Sequence, residues 1–289
     1  MNKIRKILLR YYKKISIFLG LLIFLLLCLL VFQIRQLVYF KQQPKVYKQF
    51  TVVKKPIPVL SKEPECDFTI QPGDTIEKMA QRLEEKDIIR RDVFLSYLQK
   101  NEIFIKGNLY KKQQRKYILE GYFFPQTYGL YFNSAPEEIC EILIQPYLDW
   151  RKETKGNDDI ITIASMIEKE AAIDEDRDMI AGVIANRLKE GMRLQIDATV
   201  LYALGYHKTR LNLGDLKITS PYNTYYVSDL PPGPICSPSQ KSLEAALVPK
   251  EHAYFYYVVE TYGQPKHTFS KTYEEHLKKV EKYKQSKIQ

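Results

Sequence analysis

Two glutamates flank one lysine in the stretch "ASMIEKEAA", Glu168 and Glu170. A carboxyl works as a general acid or base when its surroundings bring its pKa close to the working pH. On a helix that advances 100° per residue, residues two apart point to opposite sides. With Ile163 as the origin, Ile160, Ile167 and Ala171 fall about 40–80° to one side, and Met166 and Ile173 about 60–80° to the other. Glu170 lies about 20° from the origin, inside this apolar stripe, whereas Glu168, Lys169 and Ile161 lie off it. A carboxylate among apolar neighbours loses hydration and its pKa rises, as in the acids of glycosidases. The spacing therefore singles out Glu170 as a proton donor and leaves Glu168 on a solvated face, within reach of a lysine. The competing expectation for Glu170 is a buried glutamate satisfied by Arg187 or Arg193.

Other residue types add binding rather than catalytic chemistry. Gln195 and Asp197 occur in "MRLQIDATVLYALG". Gln195 can hydrogen-bond an amide or hydroxyl, and Asp197 reads equally well as the N-cap of a helix ending at Gly205. The loop "SPYNTYYVSDLPPGPICSP" is stiffened by prolines and carries Tyr222, Asn223 and Tyr225. Tyrosine rings suit sugar faces, and an asparagine can both donate to and accept from an N-acetyl group; ordinary packed tyrosines are the plainer alternative. The four histidines show no H-E-x-x-H spacing and the four cysteines no C-x-x-C, so neither a metal nor a cofactor is expected. His267 lies in a predicted strand, where a lone histidine is usually structural. No G-x-S-x-G elbow or phosphate-binding loop occurs.

Several elements must hold these residues in place. "RDMIAGVIANRLKEG" is a second amphipathic helix, with Gly191 placed to end it. "PEEICEILIQPYLDW" is a helix opening on Pro136. "HAYFYYVVE" and "PKHTFS" form a hairpin, and Thr272 with Glu275 makes a capping box before a last basic helix. Nearer the N-terminus, "FTIQPGDTIEKMAQRLEEKDII" reads as strand, turn and helix, with Asp74 as cap and Ile76, Met79, Ala80 and Leu83 inward. "RDVFLSYLQKN" is a further short helix, and residues 100–116 show no regular pattern.

The net charge of +10 is unevenly spread. Thirteen of the 44 lysines and arginines lie in residues 1–62, which hold no aspartate or glutamate, leaving 31 against 34 acidic residues in the remainder. No basic stripe with interleaved aromatics marks a nucleic-acid surface. The basic excess flanks "ISIFLGLLIFLLLCLLVFQI", residues 15–34, which has no charge and is long enough to cross a bilayer. No small-residue cleavage site follows it, so a single uncleaved anchor is expected, with the N-terminus cytoplasmic and the rest of the chain outside. Residues 35–66 carry Pro44, Pro56, Pro58 and Pro64 and read as an extended basic stalk.

"LEGYFFPQTY", "ASMIEKEA", "NRLKEGMRLQIDATVLYALG", "SPYNTY", "LPPGPI", "SLEAAL" and "HTFS" together resemble the MltG (YceG-like) endolytic murein transglycosylase family, in the family's order from about Phe68 to His276. "PGDTIEKMAQRL" is similar to a LysM-type glycan-binding unit, with any small α/β cap as the plainer alternative on these residues. The resemblance implies an α+β fold: a membrane anchor helix, a small LysM-like subdomain and a mixed α/β YceG-like catalytic domain. The expected organisation is a cytoplasmic tail at 1–14, the anchor at 15–34, the stalk at 35–66, the LysM-like subdomain at 67–112 and the catalytic domain at 113–289. It implies a lyase that cuts peptidoglycan glycan strands between N-acetylmuramic acid and N-acetylglucosamine, leaving a 1,6-anhydro end. The second glutamate of the E-K-E motif, Glu170, would be the single acid and base. Gln195, Asp197, Tyr222, Asn223 and Tyr225 would contact substrate, and cell-wall synthases such as penicillin-binding proteins would be neighbours. A hydrolytic muramidase with Asp197 as second carboxylate, and a non-catalytic glycan-binding scaffold, are the alternatives. The chain departs from the family at Gln126, where an aspartate is usual, at Ala198, where a proline is usual, at "CSPSQ", where an N-P-G-like turn is usual, and in a shortened segment 100–116. These departures touch substrate contacts and leave Glu170 in place.

Overall fold

The computed structural model describes residues 63–111, 114–206, 208 and 211–288. The expected anchor at 15–34 and most of the stalk lie outside the described residues. Among the described residues no helix is long and apolar enough to cross a membrane.

The chain opens with β1 (Cys66–Thr69), α1 (Ile76–Glu85) and α2 (Arg91–Leu98), then a hairpin of β2 (Glu102–Ile105) and β3 (Asn108–Lys111), then β4 (Thr127–Leu130). Strand β1 pairs antiparallel with β4, Phe68 opposite Tyr128, so the partner of the first strand lies beyond residue 112. As the helical period requires, Ile76, Met79, Ala80 and Leu83 are buried. The cap differs from expectation. Thr75 accepts the Lys78 N–H, while Asp74 accepts the Gln71 N–H and pairs with Arg82. The hairpin within 100–116 is a second difference. Lys106 and Gly107 both have positive φ, 50° and 79°, which two-residue hairpin turns of matching twist require. Its alternation is hard to read because Phe104 and Leu109, opposite each other, face outward.

Helices α3 (Pro136–Leu143) and α4 (Gln145–Thr154) replace the single helix expected there. The break falls just before Pro146, which has no N–H to continue the ladder. There follow α5 (Asp158–Glu170), α6 (Asp174–Lys189), α7 (Asp197–Leu204), a 3-10 turn at Asp215–Lys217 and α8 (Gln240–Leu247). The hairpin of β5 (Tyr256–Val259) and β6 (His267–Ser270) and the last helix α9 (Tyr273–Ser286) complete the chain. Helix α6 ends as its glycine suggests. Gly191 adopts φ +65°, its N–H reaches Leu188 O, and the Met192 N–H reaches Arg187 O. Thr272 caps α9 by accepting the Glu275 N–H.

Helix α5 is the centre of the fold and packs against α6, α7 and α8. Asn157 caps its start by accepting the Ile160 N–H. Its burial is wider than one stripe, because Ile161, Ala164, Ser165, Met166 and Ile167 are all buried. The side carrying Ile161 and Ser165 is covered by the proline-rich loop. The Ile235 N–H donates to Ser165 Oγ, and Cys236 Sγ lies against Ser165 O. One apolar cluster runs from Phe68 in β1 through α5 to Ala246 in α8.

Candidate active site

Glu170 is the last residue of α5, and the chain leaves the helix at Ala171 with extended ψ of 113°. Its Oε2 accepts a hydrogen bond from Tyr257 Oη at 3.0 Å. The Ala198 N–H, in the first turn of α7, lies near enough to this carboxyl to favour its charged form. Burial pushes the Glu170 pKa up to about 7, and the Asp197 carboxylate adds to the rise; the Tyr257 hydrogen bond, the nearby Ala198 N–H and the Arg187 charge oppose it. The residue as a whole is only half-buried, so its carboxyl combines a poorly hydrated setting with an accessible neighbourhood.

Arg187 does not neutralise it. Its Nε donates to Phe255 O at 2.7 Å and its Nη1 to Leu194 O at 2.6 Å. The guanidinium thus ties the end of α6 to the turn before α7 and to the lead-in of β5. Its charge reaches Glu170 as a weak influence through space.

Asp197 is the first residue of α7 rather than its cap. The cap position belongs to Ile196, and no side chain caps the helix. Asp197 Oδ1 instead accepts from Tyr225 Oη at 2.5 Å. Gln195, exposed beside it, holds a left-handed φ of 51° and gives its N–H to Thr224 O. Thr224 Oγ1 accepts the Ile196 N–H and lies 2.9 Å from Thr199 Oγ1. These bonds stitch the tyrosine loop to the start of α7.

The expected sugar contacts of Tyr222 and Asn223 are corrected by their burial. Asn223 is fully buried and donates its amide protons to Leu216 O and Ile218 O while its Oδ1 accepts the Tyr225 N–H. Tyr222 is buried with its ring 4.9 Å from that of Tyr202. Both shape the loop from within. Of the three loop residues, Tyr225 is the one brought to Asp197 and Glu170.

Glu168 also departs from expectation. Its side chain is not solvated, and among the described residues its cationic partner is an arginine rather than a lysine. One carboxylate oxygen accepts from the Ser239 N–H at 2.9 Å, Ser239 Oγ at 2.5 Å, Ser242 Oγ at 2.7 Å and Arg177 Nη1 at 3.3 Å. Saturated with donors, it joins α5 to the N-terminus of α8, where a negative charge is favoured. Lys169 reaches a third way and donates to Gly73 O. Three consecutive side chains therefore serve three different neighbours. His267 is structural as expected, with Nδ1 2.9 Å from Asp176 Oδ2, an oxygen that also accepts the His267 N–H.

Sequence reasoning missed Tyr257 as the partner of Glu170. The strand pattern of "FYYVV" gave Tyr257 its element, but nothing local tells which of two adjacent tyrosines meets a carboxyl 87 positions away. A cavity of about 360 Å³ lined by Tyr110, Arg115, Tyr122 and Tyr147 lies at the other end of α5, beside Asp158.

The family described as YceG-like matches residues 43–282 of this chain. An endolytic murein transglycosylase of Bacillus subtilis (strain 168) is 44% identical over 183 residues, covering 60% of this chain and 50% of the relative. An endolytic murein transglycosylase of Streptococcus pneumoniae serotype 2 (strain D39 / NCTC 7466) is 30% identical over 250 residues, covering 76% of this chain and 45% of the relative. The chain thus spans about half the length of these curated relatives. A crystal structure of a yceG-like protein from Listeria monocytogenes superposes with a TM-score of 0.62 at 34% identity, covering 73% of this chain and 75% of the other.

Proposed function

This chain belongs to the YceG-like family, and from that premise we propose that it is an endolytic murein transglycosylase whose single acid and base is Glu170. The observation that carries the reading is the half-buried carboxyl at the end of α5, ion-paired with no cation among the described residues and pushed by desolvation up to about 7. The names of the curated relatives supply the substrate class, peptidoglycan.

The chemistry follows from the pKa. Near neutral pH both forms of Glu170 are well populated. The protonated form gives its proton to the oxygen linking N-acetylmuramic acid to N-acetylglucosamine, and the bond breaks towards an oxocarbenium-like centre. The carboxylate so formed accepts the proton of the C6 hydroxyl of the same muramic acid, which closes the 1,6-anhydro ring. Atoms balance without water. A hydrolase usually places two carboxyls across the bond, one of them to act as nucleophile or to activate water. Here the nucleophile is part of the substrate and has the advantage of proximity. Asp197, held by Tyr225, contributes negative charge beside the developing positive centre and helps keep the Glu170 proton in place.

The exposure of Asp197 close to Glu170 favours one second reading, a muramidase that uses Asp197 to direct water. Digestion of purified murein separates the two. The transglycosylase releases muropeptides lighter by one water, and Glu170→Gln abolishes them; ordinary reducing ends would support the muramidase instead. A Glu170→Gln chain that retained full biological function would favour a scaffold.

The wider reading has residues 15–34 as a single membrane span with a cytoplasmic N-terminus, and 35–66 as a stalk. A LysM-like unit beginning at residue 67 would hold glycan for a catalytic domain formed by the rest of the chain, close to cell-wall synthases such as penicillin-binding proteins. The order strand, helix, helix and returning strand, with β4 completing the pair, supports the LysM-like part.

A further inference from the structure

Tyr257 reaches Glu170 from a hairpin that has little of its own to fix it. Among the described residues, β5 and β6 pair with each other and with no further strand. A lone two-stranded hairpin is marginal in water, so its seat must come from the elements around it. Helices α6 and α9 pack against it.

One tie to α6 is polar and buried. Asp176, in the first turn of α6, is 3% exposed, whereas its neighbours Asp174 and Glu175 are exposed. Its Oδ2 accepts twice from one residue of β6, from the His267 backbone N–H at 2.8 Å and from the ring Nδ1 at 2.9 Å. A carboxylate oxygen can only accept, so the ring proton sits on Nδ1. Burying a carboxylate is unfavourable unless it is hydrogen-bonded. These two bonds meet that need, and the N-terminus of α6 favours the negative charge.

The contacts close a ring. Asp176 lies six positions after Glu170, across the turn between α5 and α6. In the hairpin register Tyr257 is opposite Phe269 and Val259 is opposite His267. Tyr257 and His267 are therefore diagonal neighbours on one face of the sheet. Their rings meet edge to face, with centroids 5.5 Å apart and planes at 85°. This face thus holds the α5–α6 segment at two points, Tyr257 Oη on Glu170 Oε2 at 3.0 Å and His267 on Asp176.

We infer that Asp176 and His267 are positioning residues for Tyr257: they lock the hairpin to the start of α6 and set the Tyr257 ring so that its hydroxyl rests on Glu170. The benefit to catalysis rests on Glu170 being the acid, while the placement itself is measurable without turnover. Asp197 and Arg187 are the charged groups that act on Glu170, and both are kept in every variant below.

The test is a carboxyl-carbon NMR titration of Glu170 in the full chain labelled at glutamate, with the signal assigned by Glu170→Gln. Asp176→Ala cuts the tie. The Glu170 midpoint should rise by about half a pH unit or more, as expected when a donor to the charged form is displaced. Asp176→Asn keeps an acceptor oxygen for both His267 donors and should stay within about 0.2 units of wild type. His267→Ala keeps the backbone bond but removes the ring beside Tyr257, and it should also raise the midpoint. In a Tyr257→Phe background Asp176→Ala should add nothing, because both changes remove one interaction. If Asp176→Ala does not fold, His267→Ala decides in both backgrounds. A variant that melts earlier yet titrates at Glu170 within about 0.2 units of wild type would overturn the assignment and leave the pair a purely structural clamp. A shift that persists undiminished without the Tyr257 hydroxyl would overturn it too. Loss of murein cleavage in Glu170→Gln is a separate result and bears on the catalytic reading alone.

Discussion

Replacing Glu170 by glutamine should make the protein more stable, and only above a definable pH. The carboxyl titrates at about 7 in the fold, against an ordinary value of 4.5. Burial raises the folded value, so the folded state holds this proton more tightly than the unfolded chain does. Below about pH 4.5 both states are protonated and Glu170 carries no penalty. Between about 4.5 and 7 the unfolded chain releases the proton while the fold retains it, and stability falls as pH rises. Above about 7 the loss is complete. At 1.36 kcal/mol per unit, a gap of about 2.5 units corresponds to about 3 kcal/mol. Glutamine keeps a carbonyl for the Tyr257 donor and has no proton to lose. Thermal unfolding of wild type and Glu170→Gln, followed by circular dichroism from pH 4 to 8.5, reads the difference directly. Glu120, raised in the same direction by its own burial, is present in both proteins and drops out. The variant should match wild type at the acid end and melt several degrees higher at the alkaline end, at about 2–4 °C per kcal/mol for a chain of this size. A difference that does not change with pH, or a variant less stable than wild type at pH 8, would refute the reasoning.

Two further substitutions separate the partners. Tyr257→Phe removes the donor at Glu170 Oε2; the Glu170 midpoint should rise by about one unit and the optimum of murein cleavage should move alkaline with it, as read from a pH–rate profile. Glu168→Gln should do the reverse of Glu170→Gln. It weakens the four-donor junction of α5 with α8 and should lower stability by about 1–3 kcal/mol in urea unfolding, with anhydro products still formed.

What could be read locally was legible in advance. Gly191, Thr272 and the inward set of α1 are decided by a few neighbouring residues, and the structure has them as the pattern requires. Glu170 stood out because one acid among apolar positions breaks a period that is itself local. Glu168 was misjudged for a related reason. A helical wheel finds the face with most apolar surface, but α5 is covered on its other side too, by serines and an arginine whose sequence distance hides them. The hairpin at 102–111 was lost because half its alternation points outward and its turn is Lys106–Gly107 rather than the asparagine- or aspartate-glycine pair that marks such turns. Asn223 and Tyr222 have the residue types of a sugar site, yet the loop uses them to hold itself together. Tyr257 needed the register of a whole hairpin against α5, which no pattern within either element contains.

The central claim is that one carboxyl gives a proton to the glycosidic oxygen and takes another from the same sugar, with no water entering the product. Digestion of intact glycan strands in oxygen-labelled water by wild type, Glu170→Gln and Asp197→Asn tests it most directly. The expected result is unlabelled anhydro ends from wild type, the same ends at a changed rate from Asp197→Asn, and none from Glu170→Gln. Labelled reducing ends from wild type, or cleavage that survives Glu170→Gln, would contradict it.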